Sequence, residues 1–243
     1  MSKVFIMTVS FLFIMFISII AAIIPINGLT TGNVSDSYTI LVLPAKYVFY
    51  VVVFIYISIL YWLYKQWQMV RKMVNTISGM QTALFSVSMI LQIISLYYWH
   101  QQQFAISCTF LILATLFFAV FYLLMPATNT WSSRLPITFY LGFLILLIMI
   151  QIAINLVHFH WNGFGISQPL WAVILLTFFM AIALHIRFHH YDPYFPIIFI
   201  WFFIGTAIEN NFEELLVSTA ALFLSGVLIA GILFMVKKKR TVY

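Results

Sequence analysis

The run LPAKYVFYVVVFIYISILYWLYKQW, residues 43–67, decides how this chain is read. It opens at a proline and continues as an apolar stretch longer than the ~20 residues a helix needs to cross a bilayer. Its aromatic residues are ordered. Tyr47, Tyr50, Phe54, Ser58 and Tyr61 recur at steps of three and four, so they share one helical face. Hydrocarbon offers a hydroxyl no partner, and this face is therefore expected to look inward, at neighbouring helices or a ligand.

The rest of the chain has the same character. Of 243 residues, 65% are hydrophobic and 7% charged, against roughly 25% charged in soluble domains. The fold class that follows is all-α, a polytopic integral membrane bundle. Eight segments are long and apolar enough, or nearly so: 4–24, 45–67, 81–99, 104–124, 136–158, 170–188, 194–209 and 215–236, the seventh being the shortest. The first run exceeds the usual 7–15-residue apolar core of a signal peptide and is expected to be a retained helix. Cys108 is the one cysteine, which excludes an internal disulfide and a cysteine-built metal cluster.

Charge placement orients the segments. With both termini in the cytoplasm, the inside regions hold Lys3, Lys65, Arg71, Lys72, Arg134, Arg187 and the tail residues Lys237, Lys238, Lys239 and Arg240. That is every one of the 11 basic residues except Lys46. The acids Asp36, Glu209, Glu213 and Glu214 fall outside, and Asp192 inside. This obeys the positive-inside rule and accounts for the net charge of +6 by topology and anionic lipid rather than nucleic acid. The location expected is a bacterial inner (cytoplasmic) membrane, with lipids as partners.

Charged groups at mid-membrane depth cost roughly 2.5–3.5 kcal/mol each and usually mark function. None of the eight segments carries one near its centre, and no carboxylate pair, metal-ligating helix pair or Ser-His-Asp set stands out. The chain reads as a non-enzyme, and as neither a proton-coupled transporter nor a voltage sensor.

Uncharged polar residues remain, and they form stripes. Ser88, Gln92, Ser95 and Trp99 share a face of the third segment; Gln151, Asn155 and His158 share one of the fifth. Tyr47, Trp99 and His158 lie at the outer boundary, and Phe54, Gln92 and Gln151 each lie seven residues deeper, roughly 10 Å at helical rise. Matched depth on three helices is what an aromatic pocket with a few orienting amides would require. The same residues equally suit hydrogen bonding between helices, at about 0.6 kcal/mol each. The candidate ligand-binding set is Tyr47, Tyr50, Phe54, Gln92, Ser95, Trp99, Gln151, Asn155 and His158, with no metal site. His158, His160 and His100 read as interfacial polar groups, and His185, His189 and His190 as headgroup contacts at the inner face. Ser218, Ala221 and Ser225 read as a close-packing face, within the chain or in a homodimer.

The run Leu43-Pro44-Ala45-Lys46-Tyr47-Val48-Phe49, continuing to Tyr56, resembles the second-helix signature of the translocator-protein family, the tryptophan-rich sensory or peripheral-benzodiazepine-receptor-like proteins. Leu135-Pro136 with Tyr140 and Gly142 resembles the family's start to the fifth helix, and Trp99-His100 with Trp161 resembles the longer bacterial form. The resemblance covers about residues 25–161. It implies a five-helix bundle over 1–165, with three additional helices and a basic tail over 166–243. It also implies a tetrapyrrole, haem-like or sterol/isoprenoid-like ligand held in the bundle, with a sensor or transporter role and no resident cofactor. Family tryptophans are replaced here by Ser95 and Phe143, which argues against tryptophan-dependent tetrapyrrole breakdown. The alternative is a structural or interaction subunit of a membrane complex with no pocket.

The topology predicts that, in a chain lacking Cys108, a membrane-impermeant maleimide added from outside labels Gln102→Cys in intact cells. Lys72→Cys should react only after the membrane is opened.

Overall fold

The computed structural model describes residues 2–74, 77–125, 134–211 and 213–235, so the basic tail 237–240 lies outside the described residues. Among them no strand occurs, only an isolated bridge between Ile26 and Leu29. The helices are α1 (Ser2–Ile23), α2 (Thr31–Asp36), α3 (Val51–Arg71), α4 (Gly79–His100), α5 (Phe104–Leu123), α6 (Leu135–His158), α7 (Gln168–His190), α8 (Phe195–Glu209) and α9 (Leu215–Phe234), with 3-10 turns at Lys46–Tyr50 and Gly163–Gly165. Seven of these, the first turn of α3 included, are long and apolar enough to cross a membrane. The chain is a multi-pass membrane protein. The helix α8 has 15 residues, about 22 Å at helical rise, which falls short of a hydrocarbon core of about 30 Å.

The chain forms two compact units. The first comprises 1–40 and 51–161, with α1 to α6. Its centre is the hairpin of α4 and α5. Helix α4 starts with a capping box: Ser78 Oγ accepts from Gln81 N at 3.1 Å, and Gln81 Oε1 accepts from Ser78 N at 2.8 Å. The same Gln81 donates from Nε2 to Leu124 O at 2.9 Å, closing the end of α5. Around this hairpin packs an aromatic core. Phe85 meets Phe121 at 5.4 Å, Phe118 at 5.9 Å and Trp62 at 6.4 Å, while Tyr140 meets Phe118 at 4.9 Å and Phe11 at 6.2 Å. These edge, tilted and (for Trp62 on Phe85) stacked arrangements suit the ring quadrupoles. Helix α1 packs on α4 and α3 through Val4, Met7, Phe11 and Ile14.

The expectation for the tyrosine face of residues 47–61 does not hold. Tyr50 is 75% exposed, and Phe54 and Tyr61 about half. The buried face of α3 is Ile55, Ile59, Trp62, Leu63 and Gln66. Tyrosines near a helix end reach interfacial water from the lipid side, so their hydroxyls need no protein partner.

The second unit comprises 41–50 and 162–243. Helices α7, α8 and α9 pack on one another, and α8 carries a ladder of Phe195, Phe199 and Phe203. The segment 41–50 runs along α8. Ala45 N donates to Gly205 O at 3.1 Å, Thr206 Oγ1 to Val42 O at 3.3 Å and Asn210 Nδ2 to Leu41 O at 2.9 Å. Trp201 Nε1 donates to Val48 O at 3.2 Å, and its ring meets Tyr47 edge-on at 5.7 Å. Ser218, Ala221 and Ser225 are buried in α9, which packs on α7 and α8 of the same chain. The loop 162–167 is shaped: Trp171 Nε1 donates to Gly163 O at 2.8 Å, and Gly163 sits at φ +65, where a side chain would be strained.

A Cβ placed on Gly205 would overlap Val48 Cγ2. Gly205→Ala should therefore cost about 1–3 kcal/mol, the usual penalty for overpacking. Adding Val48→Ala should recover most of that loss, read as a double-mutant cycle in thermal melts.

Candidate functional site

The polar stripes of α4 and α6 face each other across α5, and hydrogen bonds join them. Ser88 Oγ donates to Ala114 O at 2.8 Å. Gln92 lies a turn further out. Its Nε2 donates to Ser88 O and Oγ at 3.3 and 3.2 Å, and its Oε1 accepts from the Tyr140 hydroxyl at 2.6 Å. Next comes a reciprocal clasp. Ser95 Oγ donates to Ser107 O at 2.9 Å, and Ser107 Oγ to Ser95 O, also at 2.9 Å. Gln151 Oε1 lies 3.4 Å from Ser107 Oγ. Gln92, Ser95 and Gln151 are all buried. Their polar atoms serve the contact between helices.

Above this layer the character changes. Asn155 Nδ2 donates to Gln151 O at 2.7 Å and Phe104 O at 3.2 Å. That orientation is dictated by the two carbonyls, which can only accept. It leaves Asn155 Oδ1 buried without a donor from the chain. One turn further, His158 Nδ1 and the Tyr38 hydroxyl share a hydrogen bond of 3.0 Å. Phe104 lies at the centre of a ring cluster, meeting Tyr38 at 5.2 Å, Trp99 at 5.2 Å and His158 at 5.0 Å, all near edge-on. Beside it opens a cleft of about 470 Å³, lined by Ser37, Tyr38, Thr39, Val157, His158 and His160.

The end of α4 is tied down by the loop after α1. Trp99 Nε1 donates to Thr31 O at 3.3 Å, and Thr31 Oγ1 pairs with His100 Nε2 at 3.0 Å. Asn27 Nδ2 donates to His100 O at 3.2 Å, with Asn27 itself in the left-handed region at φ 53. Helix α2 starts on a side-chain cap from Thr30, whose hydroxyl accepts from Asn33 N at 3.3 Å. The cap fixes the short helix that leads into Ser37 and Tyr38.

The structure thus brings together six of the nine sequence candidates in the first unit: Gln92, Ser95 and Gln151 inside, and Trp99, Asn155 and His158 nearer the helix ends, where His158 alone of the six lines the cleft. Phe54 belongs to the same unit but faces outward, 51% exposed, with its ring 5.9 Å from Phe139. Tyr47 and Tyr50 belong to the second unit, Tyr47 against Trp201. Tyr38, Phe104 and Ser107 are site residues that no stripe revealed. Ser107 was detectable as one of the few hydroxyls, with Thr109, Thr115 and Tyr122, in an otherwise apolar segment, one turn from its start. Tyr38 sits in a polar loop and carries no periodic signal.

Among the described residues, no group of three or more His, Cys, Asp or Glu side chains is placed to hold a metal ion. The family model for TSPO-like proteins matches residues 4–234. This chain belongs to the TSPO-like family. The match extends beyond residues 25–161, on which the sequence resemblance rested, and takes in residues of both units. No curated protein and no solved structure matches the chain. For this TSPO-like protein the assignment rests on the family model together with the membrane-helix bundle.

The saturated bonding of Gln92 predicts a framework role. Gln92→Leu and Tyr140→Phe should each lower stability by about 1–2 kcal/mol. The double variant should lose little more than either, because both remove the same bond. Thermal unfolding in detergent measures all three.

Proposed function

We propose that this membrane protein binds an amphipathic, ring-bearing hydrophobic molecule, of tetrapyrrole or isoprenoid type, at the outer end of its first unit. Binding there would serve sensing or transport and involve no catalysis. The observation that carries the proposal is the open cleft lined by Tyr38, Val157 and His158, with the Phe104 ring packed against Tyr38 and His158. One turn before His158 on α6, Asn155 Oδ1 is a buried acceptor that the chain leaves unsatisfied, and a ligand hydroxyl or N–H reaching past His158 would satisfy it. The aromatic rings supply the flat apolar contact, and Ser37, Thr39 and His160 meet the polar end.

This seat differs from the one the stripes alone suggest. Tyr47 and Tyr50 are not part of it, and Gln92 and Gln151 support it from beneath. The second reading is a structural subunit that docks another membrane protein and binds no small molecule. It is favoured by the closed network of Ser88, Gln92, Ser95, Ser107 and Gln151, which has the character of helix packing.

The two readings part on one experiment. Purified protein is titrated with a panel of porphyrins and sterols while tyrosine and tryptophan fluorescence is followed. Binding is expected, with affinity reduced about tenfold in Asn155→Leu or His158→Ala. Each variant also loses hydrogen bonds and should melt lower, so the discriminating readout is the ligand-induced rise in melting temperature, present in the parent and much reduced in the variants. No quenching and no ligand-induced rise with any member of the panel would establish the structural reading instead.

A further inference from the structure

Two histidines in the second unit are placed as ligands. His185 and His189 stand one turn apart on α7, the i, i+4 spacing that puts two imidazoles on one helical face. Their ring centroids are 4.1 Å apart and their planes are inclined by 31°. Two imidazole nitrogens bound to one tetrahedral Zn(II), at about 2.0–2.1 Å each, lie roughly 3.4 Å from one another. The ring-centroid spacing of 4.1 Å is of that order.

The tautomer of neutral His189 follows from its hydrogen bond. Its Nδ1 lies 3.0 Å from His185 O. A carbonyl only accepts, so Nδ1 carries the hydrogen. In the neutral ring Nε2 then holds the free lone pair. A ring N–H given to a backbone carbonyl is the usual way a metal-binding histidine is oriented and its free nitrogen made more basic. The Phe188 ring, edge-on at 5.1 Å, restrains the His189 imidazole further.

Access follows from position. Helix α7 ends at His190, so His189 lies in its last turn and His185 one turn before it. Both side chains are exposed. Arg187, between them in sequence, is buried and donates from Nη2 to Ile232 O at 2.9 Å, so its charge is turned into the unit, toward α9.

We propose that His185 and His189 form a two-imidazole site for a borderline transition-metal ion, Zn(II), Ni(II) or Cu(II), at the end of α7, with water completing the coordination. Imidazole favours these ions over Mg(II) or Ca(II). The bound ion bridges successive turns and so staples the end of the helix. This site is separate from the outer cleft of the first unit and does not depend on what binds there.

The test uses the full chain in detergent with Ni(II) or Zn(II) alone, or Cu(II) followed by electron paramagnetic resonance. Two nitrogen donors are expected in the Cu(II) spectrum, and a melting temperature that rises with metal. Holding the second imidazole beside the first makes its capture intramolecular, so His185→Ala or His189→Ala should each weaken binding about tenfold or more. His190→Ala should bind as the parent does. Binding that persists undiminished in both single variants overturns the proposal. In the unaltered chain, bound Zn(II) should also shield His185 and His189 from diethylpyrocarbonate, located by mass spectrometry. Modification of both residues at the metal-free rate overturns it independently of any variant's folding.

Discussion

Inside a bilayer a polar group without a partner has no water to fall back on, and the first unit is arranged around that constraint. Its centre is the clasp of Ser95 and Ser107, in which each hydroxyl donates to the other residue's backbone carbonyl. Two small side chains bonding to backbone permit a close approach of α4 and α5 and allow little slip between them. With that register set, Gln92 arrives at Tyr140 and Gln151 at Ser107. The aromatic core lies on one side of this polar layer and the cleft on the other.

The layer divides the unit by chemistry. Toward the inner end, Trp62, Phe85, Phe118 and Phe121 pack as a ring cluster in which the Trp62 Nε1 donor is buried without a partner, and the ends of the hairpin are capped by Ser78 and Gln81. Toward the outer end, the loop carrying Asn27, Thr31 and Tyr38 folds over the helix termini and bonds to His100, Trp99 and His158. That cover is built from single side-chain bonds to a loop, not from interlocked helices. Loops held in this way open at lower free energy than packed cores do. A ligand would therefore enter from the outer end, with the helical framework below unchanged.

Much of this was legible in the sequence, for a physical reason. Amides and hydroxyls stand out in an apolar helix because lipid cannot satisfy them, so the stripes Ser88–Gln92–Ser95–Trp99 and Gln151–Asn155–His158 identified buried faces directly. The same logic failed for the exposed tyrosines Tyr50 and Tyr61. Near the boundary a tyrosine hydroxyl reaches water from the lipid side, so its presence does not imply burial. The true inner face of α3, with Ile55, Ile59, Trp62 and Leu63, has the same periodicity but is apolar against an apolar surround. Hydropathy has no contrast there. Tyr38 was hidden for the opposite reason: it comes from a polar loop, and only tertiary structure brings it to His158.

The segment 41–50 belongs by its hydrogen bonds to the second unit, yet it leads directly into α3 of the first. Thr206 reaches back 164 positions to Val42, and Asn210 reaches back 169 to Leu41. During synthesis this strip leaves the ribosome early, and its bonds to α8 can form only once α8 has been made. A chain cut at residue 165 would separate the strip from the helix it bonds to, so the second unit is completed by an early piece and a late piece of the same chain.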